Sequence, residues 1–565
     1  MRNKKNGKKH IAVGILIIVL AITGIGNLVI YIINLPRPYI NILPTSLVVG
    51  TSSGPYTLDP VNCWDQSSSN VLEQVVETLF TYNLSNLNLP RMPLLAETWW
   101  WQNATILHIK LREGIFFHDS TTFNANATKW NLDRLLYLTN ATGTLPSSMT
   151  VAEPASLYYF SDEVTPIINH IDAETVYNVT IYLNSPFAPL LDLLCHISSA
   201  MVSPNSTPSY DYIPMPSGVV VGTGPFSFGH FIPNLEVRFD RFDNYWQGSA
   251  YFYELFMVSI SDPTIRNNAM LNHEIHWLRG FTSSYLPFFE ADPTITVKHF
   301  TDDIGLPGLL YQYLGMNNIL IPSYWRKAIS YAINYSYIIN ELMQGTVIRA
   351  NSPISPGYGA SYNASNSAAD YDLMIARQTI IDNVPAASGF PLNNDPLDIT
   401  WSNATLFTVN YTYYISSSVN FGLLYFLESS LSVIGVQVID DGVPLSAYLR
   451  KLFYDQDELG LFWMGWFPDY KDPFIVFDPL FNPTSYANFA QVNDTKLNIM
   501  MELAIRTTDN VARNIIYKNI QWYLANRFYP HCFVCHSKII YVHSADLQGV
   551  YYNALNKLAA YSVYI

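Results

Sequence analysis

The stretch TILHIKLR, residues 105–112, sets Leu107, Ile109 and Leu111 on one face and His108, Lys110 and Arg112 on the other. That is the period-two alternation of a strand with one buried side. VYNVTIYL (176–183) and LEVRFDRF (235–242) are β-rich runs of the same kind. Helical spacing is as plain elsewhere. Residues 67–79 open on serines and an asparagine and repeat apolar side chains at Val71, Leu72, Val75, Val76 and Leu79, which predicts an amphipathic helix. Residues 325–343 and 511–528 predict longer helices with an apolar stripe. No period of 20–50 residues repeats and no glycine-rich linker divides the chain. The pattern is that of an α/β protein whose lobes are assembled from non-contiguous segments.

With 565 residues the chain can bury a large core. Only 13% of residues are charged and 15% are aromatic, against about 25% charged in ordinary soluble proteins, so global disorder is excluded. Thirty basic residues against 44 acidic give a formal charge of −14, the wrong sign for a protein that neutralises a nucleic-acid backbone. Enzyme motifs are absent: there is no G-x-S-x-G, H-E-x-x-H, P-loop or G-x-G-x-x-G after a strand. The glycines of Gly222-Thr223-Gly224-Pro225 superficially resemble a phosphate loop, but Pro225 removes an amide such a loop would use.

The first ten residues, MRNKKNGKKH, hold five basic side chains and no acid. Residues 11–33 then form an apolar run of 23 residues broken only by Thr23, Asn27 and glycines, long enough at about 1.5 Å per residue to cross a ~30 Å hydrocarbon core. No small-x-small cleavage site follows it. The expected organisation is a cytoplasmic basic tail (1–10), one transmembrane anchor (11–33), a proline-rich extended stalk (34–46) and an extracellular body, a single-pass protein of the cell membrane. Without the tail's five basic residues, 25 remain against 44 acidic ones, so the external part carries −19. Four cysteines, Cys63, Cys195, Cys532 and Cys535, are compatible with one or two disulfides in an oxidising compartment. Eleven Asn-x-Ser/Thr sequons permit surface glycosylation.

Several phrases in chain order resemble the family 5 solute-binding proteins of ABC importers, the oligopeptide, dipeptide and nickel-binding group. They are TLDPVNCWDQSSSNVLEQVVETLFTYN (57–83), LLAETWW (94–100) with LHIKLREGIFFHDSTTFNANATKWNLDRL (107–135), GTGPFSFGHF (222–231) with DNYW (243–246), YLGMNNILIPSYWRKAISYAINYSYIINELMQG (313–345) and MGWFPDYKDPFIVFDPLF (464–481). Arg513, Tyr517 and Gln521 fit the spacing of the family's last helix, while Thr78 and Ser120 stand where the family has glycine. The resemblance spans roughly residues 47–549. It implies a two-lobed Venus-flytrap fold of the large type: lobe I over 47–345 with a subdomain inserted at about 85–212, lobe II over 346–536, and 537–565 returning to lobe I. The two crossovers are expected near 345–353 and 531–537.

The same resemblance implies a ligand held between the lobes, with closure favoured because ligand touches both. In the peptide-binding members an Asp of the segment matching 464–481 receives the ligand's α-ammonium, and the matching position is Asp469. A turn-forming role before Tyr470 fits Asp469 as well. Trp466 would give an apolar wall or serve as a core aromatic. Asn317, with Asn318 as its neighbour and competitor, would hydrogen-bond the ligand backbone. Ser67 and Ser68, with Ser69, would meet a carbonyl or carboxylate at a helix start, or act as simple caps. Cys532 and Cys535 within His531-Cys-Phe-Val-Cys-His536 are open to a disulfide, to buried thiols, to a metal site or to haem attachment, and Cys63 and Cys195 could pair. The expected function is a membrane-anchored receptor of an ABC importer that captures peptide and hands it to a permease and ATPase, with no cofactor. The alternatives are a sensing or surface protein without a transporter, and a carrier of nickel chelates, haem or oligosaccharide.

Overall fold

The computed structural model describes residues 45–565 except 85, 141–144, 147–148 and 385–394. The basic tail, the apolar run 11–33 and residues 34–44 of the stalk lie outside the described residues. Among the described residues no helix is long and apolar enough to cross a membrane.

Two mixed sheets carry the architecture. The first has seven strands in the order Ile295–His299, Ile540–Ser544, Trp277–Leu278, Ser46–Thr51, Glu254–Ser259, Glu236–Arg241 and Phe226–Ile232. The second has six, in the order Val347–Arg349, His531–Ser537, Tyr311–Met316, Leu461–Trp466, Phe407–Tyr414 and Val436–Val443. A separate four-stranded antiparallel sheet, Ala96–Asn103, Ile106–Leu111, Asn178–Leu183 and Ile168–Ala173, packs on the helix Ala125–Leu138 and falls within the stretch assigned to an inserted subdomain.

Alternation along the strands sorts side chains between cores. Leu47 and Val49 enter one extended core that also takes Tyr311, Tyr313 and Phe462 of the second sheet. Val48, between them, faces a smaller core behind the first sheet. Leu314, Met316, Leu461 and Trp463 face a third behind the second sheet. The two sheets therefore share a buried face while each keeps its own outer layer.

The boundary between lobes differs from the expected residue 345. Tyr311–Met316 pairs antiparallel with Leu461–Trp466 on one side and His531–Ser537 on the other, so it is interior to the second sheet. The chain passes from first to second sheet between His299 and Tyr311 and returns between Ser537 and Ile540. His531–Ser537, expected as a crossover, is an interior strand, paired on both sides. A run buried on both faces carries no sequence mark of which sheet it joins.

Two helices also end earlier than their apolar spacing predicts. The first runs only Gln66–Leu72, because Gly224 and Phe226 donate their backbone N–H groups to the carbonyls of Val75 and Gln74 at 2.9 and 3.1 Å. Tertiary partners there replace the next helical turn. A Cβ on Gly222 or Gly224 would collide with the Val75 backbone, which gives the Gly-Thr-Gly-Pro motif a packing role. The helix expected over 325–343 is Ser323–Ala332; it breaks at Ile333 and restarts with Asn334 as a cap that accepts from the Tyr337 N–H at 3.2 Å.

Ser120, at a family glycine position, holds φ +68°. Left-handed backbone suits glycine and strains serine. Ser120→Gly is expected to stabilise the protein by about 0.5–1 kcal/mol, read as a higher urea midpoint with unchanged slope; a lower midpoint would show that the serine side chain outweighs the backbone strain.

Candidate functional site

The strand Leu461–Trp466 ends at a turn, Phe467 to Pro473, from which the helix Phe474–Phe481 departs. The two aspartates of this turn have different fates. Asp472 is locked: its Oδ1 accepts from the Phe474 N–H at 2.9 Å and from the Tyr517 hydroxyl at 2.6 Å, and its Oδ2 lies 3.4 Å from Arg513 Nη2. Asp469, its side chain 7% exposed, has no cation against it. Its Oδ2 has no hydrogen-bond partner, and its Oδ1 stands 3.9 Å from His196 Nε2, too far for a direct hydrogen bond.

Burial raises the Asp469 carboxyl to about 7, its own backbone N–H opposing the shift. His196 offers no counter-charge. Burial, with some repulsion from Lys557, holds the imidazole down to about 3, and its Nδ1 accepts from the Ser198 N–H at 3.3 Å, which leaves the proton on Nε2. A desolvated carboxylate beside a neutral donor is half prepared for a cation.

Asp469 lines a cavity of about 300 Å³. From the second-sheet lobe come Gly465, Trp466, Phe467, Pro468 and Asp469; from the other side come Cys63 to Gln66, Ser69, Asn70, Glu73, His196, Ile197, Leu555 and Lys557. The cavity is thus an interlobe site. Trp466 is pinned in its wall by a 2.7 Å hydrogen bond from Nε1 to the Ile475 carbonyl, and Trp64 meets Tyr486 edge-on at 5.8 Å. The cavity's cation, Lys557, is 2.6 Å from Glu73 Oε1.

Of the residues singled out in the sequence, the structure brings Asp469, Trp466, Ser69 and Cys63 to this cavity and leaves Asn317, Ser67 and Ser68 out of its wall. Asn317 is fully buried and spent on its own chain: Oδ1 accepts from the Ile319 and Leu320 N–H groups at 2.9 and 3.1 Å, and Nδ2 donates to the Gln456 carbonyl at 2.9 Å. Asn318 is tied to the carbonyls of Met316 and Ala490. Ser68 Oγ accepts from the N–H groups of Tyr56 and Thr57 at 2.8 and 3.0 Å, and Ser67 pairs with Ser53 at 2.8 Å. The helix cap is Asp65, which accepts from the Ser68 N–H at 2.8 Å.

The disulfide expectation is corrected as well, since all four cysteines are free and buried. Cys532 and Cys535 lie three residues apart on one strand, so about 10 Å separates their Cα atoms, beyond the ~7 Å a disulfide can span. Burial raises their thiols to about 11 and about 12. Cys63 and Cys195 each donate to a nearby carbonyl, of Asp65 and Leu191. His531 stacks on Tyr313 at 4.0 Å. Among the described residues no group of three or more His, Cys, Asp or Glu could hold a metal ion.

Sequence reasoning missed His196, Trp64, Glu73 and Lys557 as cavity residues. They come from three distant stretches, and only the fold brings them to Asp469.

A family model described as bacterial extracellular solute-binding proteins, family 5 Middle, matches residues 91–488. Among curated relatives, the glutathione-binding protein GsiB of Escherichia coli (strain K12) is 23% identical over 519 residues, covering 89% of this chain and 91% of its own length. GsiB of Pectobacterium atrosepticum is 24% identical over 528 residues, with the same coverage. Among solved structures, the periplasmic binding protein DppA from Helicobacter pylori in complex with peptide STSA aligns with TM-score 0.71 and 20% identity over 92% of this chain and 98% of that one. A dipeptide binding protein from Pseudoalteromonas sp. SM9913 in complex with Met-Leu aligns with TM-score 0.72 and 18% identity over 92% and 99%. At such identities the structural likeness speaks for the two-lobed α/β fold alone.

Proposed function

This chain belongs to the bacterial extracellular solute-binding proteins of family 5, and from that premise we propose that it captures short peptides bearing a free α-ammonium between its two lobes. It is a solute-binding protein of the ABC-importer type and not an enzyme. In the proposed reading the basic tail stays in the cytoplasm, residues 11–33 anchor the protein, and the extracellular body delivers peptide to a permease served by an ATPase. Asp469 receives the ammonium and Trp466 covers the adjoining apolar surface. Lys557, loosened from Glu73, takes a carboxylate.

The observation that carries the reading is the Asp469 carboxylate, with Oδ2 buried and unpartnered and a neutral imidazole, 3.9 Å from Oδ1, in place of a counter-ion. A buried acceptor without a partner is costly, and an entering ammonium removes that cost with a charge-assisted hydrogen bond. The cavity's roughly 300 Å³ lies at the small end of ligand pockets, which favours peptides of two or three residues. The relatives named for glutathione and the structure holding Met-Leu carry ligands of that size.

The test is calorimetric titration with di- and tripeptides and their N-acetylated forms. The expected result is binding of the free-amine forms and loss of about 30-fold or more on acetylation. Equal affinity of both forms would defeat the ammonium assignment.

A pH profile follows from the same group. The folded pKa of Asp469 is raised to about 7, so in the free protein the neutral acid is favoured below that pH, and the stability it contributes is lost as pH rises through about 7. Ammonium binding needs the carboxylate and so runs the other way. Affinity should fall by up to about tenfold per unit below pH 7. It should fall again above about pH 8 as the peptide amine loses its proton. Measured affinities that stay flat from pH 5 to 7 would show that Asp469 is not the receiving group.

A further inference from the structure

A second and larger cavity, about 500 Å³, shares no lining residue with the one at Asp469. Its walls are Trp99 and Trp101 of the strand Ala96–Asn103, Phe187 and Leu191 from the stretch after the inserted sheet, and two arginines, Arg91 and Arg513. It closes where that stretch docks on the second-sheet lobe, the Ala188 N–H donating to the Ile505 carbonyl at 2.7 Å.

The tryptophans are two residues apart on a strand, so they share one face about 6.7 Å apart. Trp100, between them, turns to the other face and stacks on His108 at 5.0 Å. Trp99 and Trp101 are 37% and 38% exposed on an edge strand, an apolar platform open to solvent. Phe80 fixes Trp99 edge-on at 5.2 Å.

The charges behind the platform do not cancel. Arg91 Nη1 lies 3.2 Å from Asp192 Oδ2, and Arg513 Nη2 3.4 Å from Asp472 Oδ2. Tyr82 joins the two pairs, donating to Asp192 at 3.0 Å and accepting from the Lys471 N–H at 2.9 Å. Lys471, half-buried, interacts with Asp192 and sends its Nζ to the Asn88 carbonyl. Three cations thus stand against two carboxylates. Arg513, only 7% exposed, also keeps its Nε–H without a hydrogen-bond partner, although buried guanidinium donors are ordinarily satisfied.

We infer that this cavity is a second solute site, for a small monocarboxylate with a flat apolar face: the ring lies on Trp99 and Trp101 and the carboxylate meets Arg513 and Arg91. An aromatic acid and a hexuronic acid share that chemistry. The anion restores charge balance in a buried cluster and supplies the acceptor that Arg513 Nε lacks. The site stands independently of the peptide reading, since none of its residues touches the Asp469 cavity.

The test is titration of the purified full chain with 2-naphthoate and with glucuronate, each beside its neutral counterpart, 2-naphthamide and glucose. The expected result is that one acid binds with a Kd below about 1 mM, at least about tenfold tighter than its neutral counterpart. Which acid does so identifies the source. Trp101→Ala and Arg91→Gln, at partly exposed positions that spare the buried Arg513–Asp472 pair, should each weaken that binding by about tenfold or more. Acid binding that is absent up to about 10 mM, that matches the neutral compound within about twofold, or that survives both substitutions overturns the proposal.

Discussion

Replacing Asp469 by Asn is expected to lower the affinity for a free-amine peptide by about 30- to 1000-fold, the cost of about 2–4 kcal/mol for removing one partner of a buried charge pair. The same change should leave the weak binding of an N-acetylated peptide within about threefold of its starting value, because no ammonium is present to lose its partner. The unliganded variant should melt higher than the parent at pH 8, since a desolvated carboxylate with no counter-ion is exchanged for a neutral amide of the same shape. A binding site that destabilises its own empty state is a familiar exchange of stability for function. The acid limb of the pH profile should vanish in the variant, because Asn does not titrate. Calorimetry at pH 6, 7 and 8 on parent and variant reads all of these. An unchanged affinity at pH 8 would sink the assignment. A melting temperature that falls would mean that Asp469 is stabilised in the empty protein by a partner other than His196.

How far the sequence reaches is visible in that same turn. The period-two runs became strands within about two residues of their expected ends: Ile106–Leu111, Asn178–Leu183 and Glu236–Arg241. That signal is local, since one buried face dictates alternation. Asp469 and Trp466, picked out by the family resemblance, lie on one continuous segment that carries both to the cavity. Asn317, Ser67 and Ser68 have side chains able to hydrogen-bond a ligand, but Asn317 and Ser68 are already taken by neighbouring backbone and Ser67 by the Ser53 hydroxyl. Short polar side chains satisfy adjacent amides first, and nothing in a single sequence tells an occupied hydroxyl from a free one. The opposite wall, His196, Trp64 and Lys557, was illegible for a different reason: it depends on how the inserted segment and the C-terminal return dock, which is set by packing between distant parts of the chain. The early end of the helix at Leu72 has the same origin, as its missing turn is replaced by hydrogen bonds from Gly224 and Phe226.

The largest effect on stability should come from the clamp that joins the Leu-Asp-Pro phrase to the helix packed on the four-stranded sheet. Asp59, in the Leu-Asp-Pro phrase, and Arg134, on the helix Ala125–Leu138, form an ion pair whose side chains are 0% and 2% exposed. Both are fully used. Arg134 Nη1 donates to Asp59 Oδ1 at 3.0 Å and Nη2 to Asp59 Oδ2, while Nε and Nη2 reach the carbonyls of Pro208 and Asp211 at 2.7 Å. Asp59 accepts in addition from the Val61 and Ile213 N–H groups at 3.0 and 2.8 Å. Three separate pieces of chain therefore meet at two side chains. Breaking a buried pair from one side strands the remaining charge, at a cost of about 3–5 kcal/mol, so Asp59→Asn and Arg134→Met should each shift the urea midpoint strongly downward. Removing both charges should cost less than the sum of the two single changes, with a coupling of about 1–3 kcal/mol, because the double variant leaves no uncompensated ion. A double variant as unstable as the sum would mean that the backbone contacts, and not the ion pair, hold the junction. His196 lies in the same inserted stretch, so a loosened clamp should also weaken peptide binding, but by less than about tenfold, since Asp469 keeps its place on the other lobe. A variant that loses all binding while remaining folded would instead place the junction itself in the ligand's path.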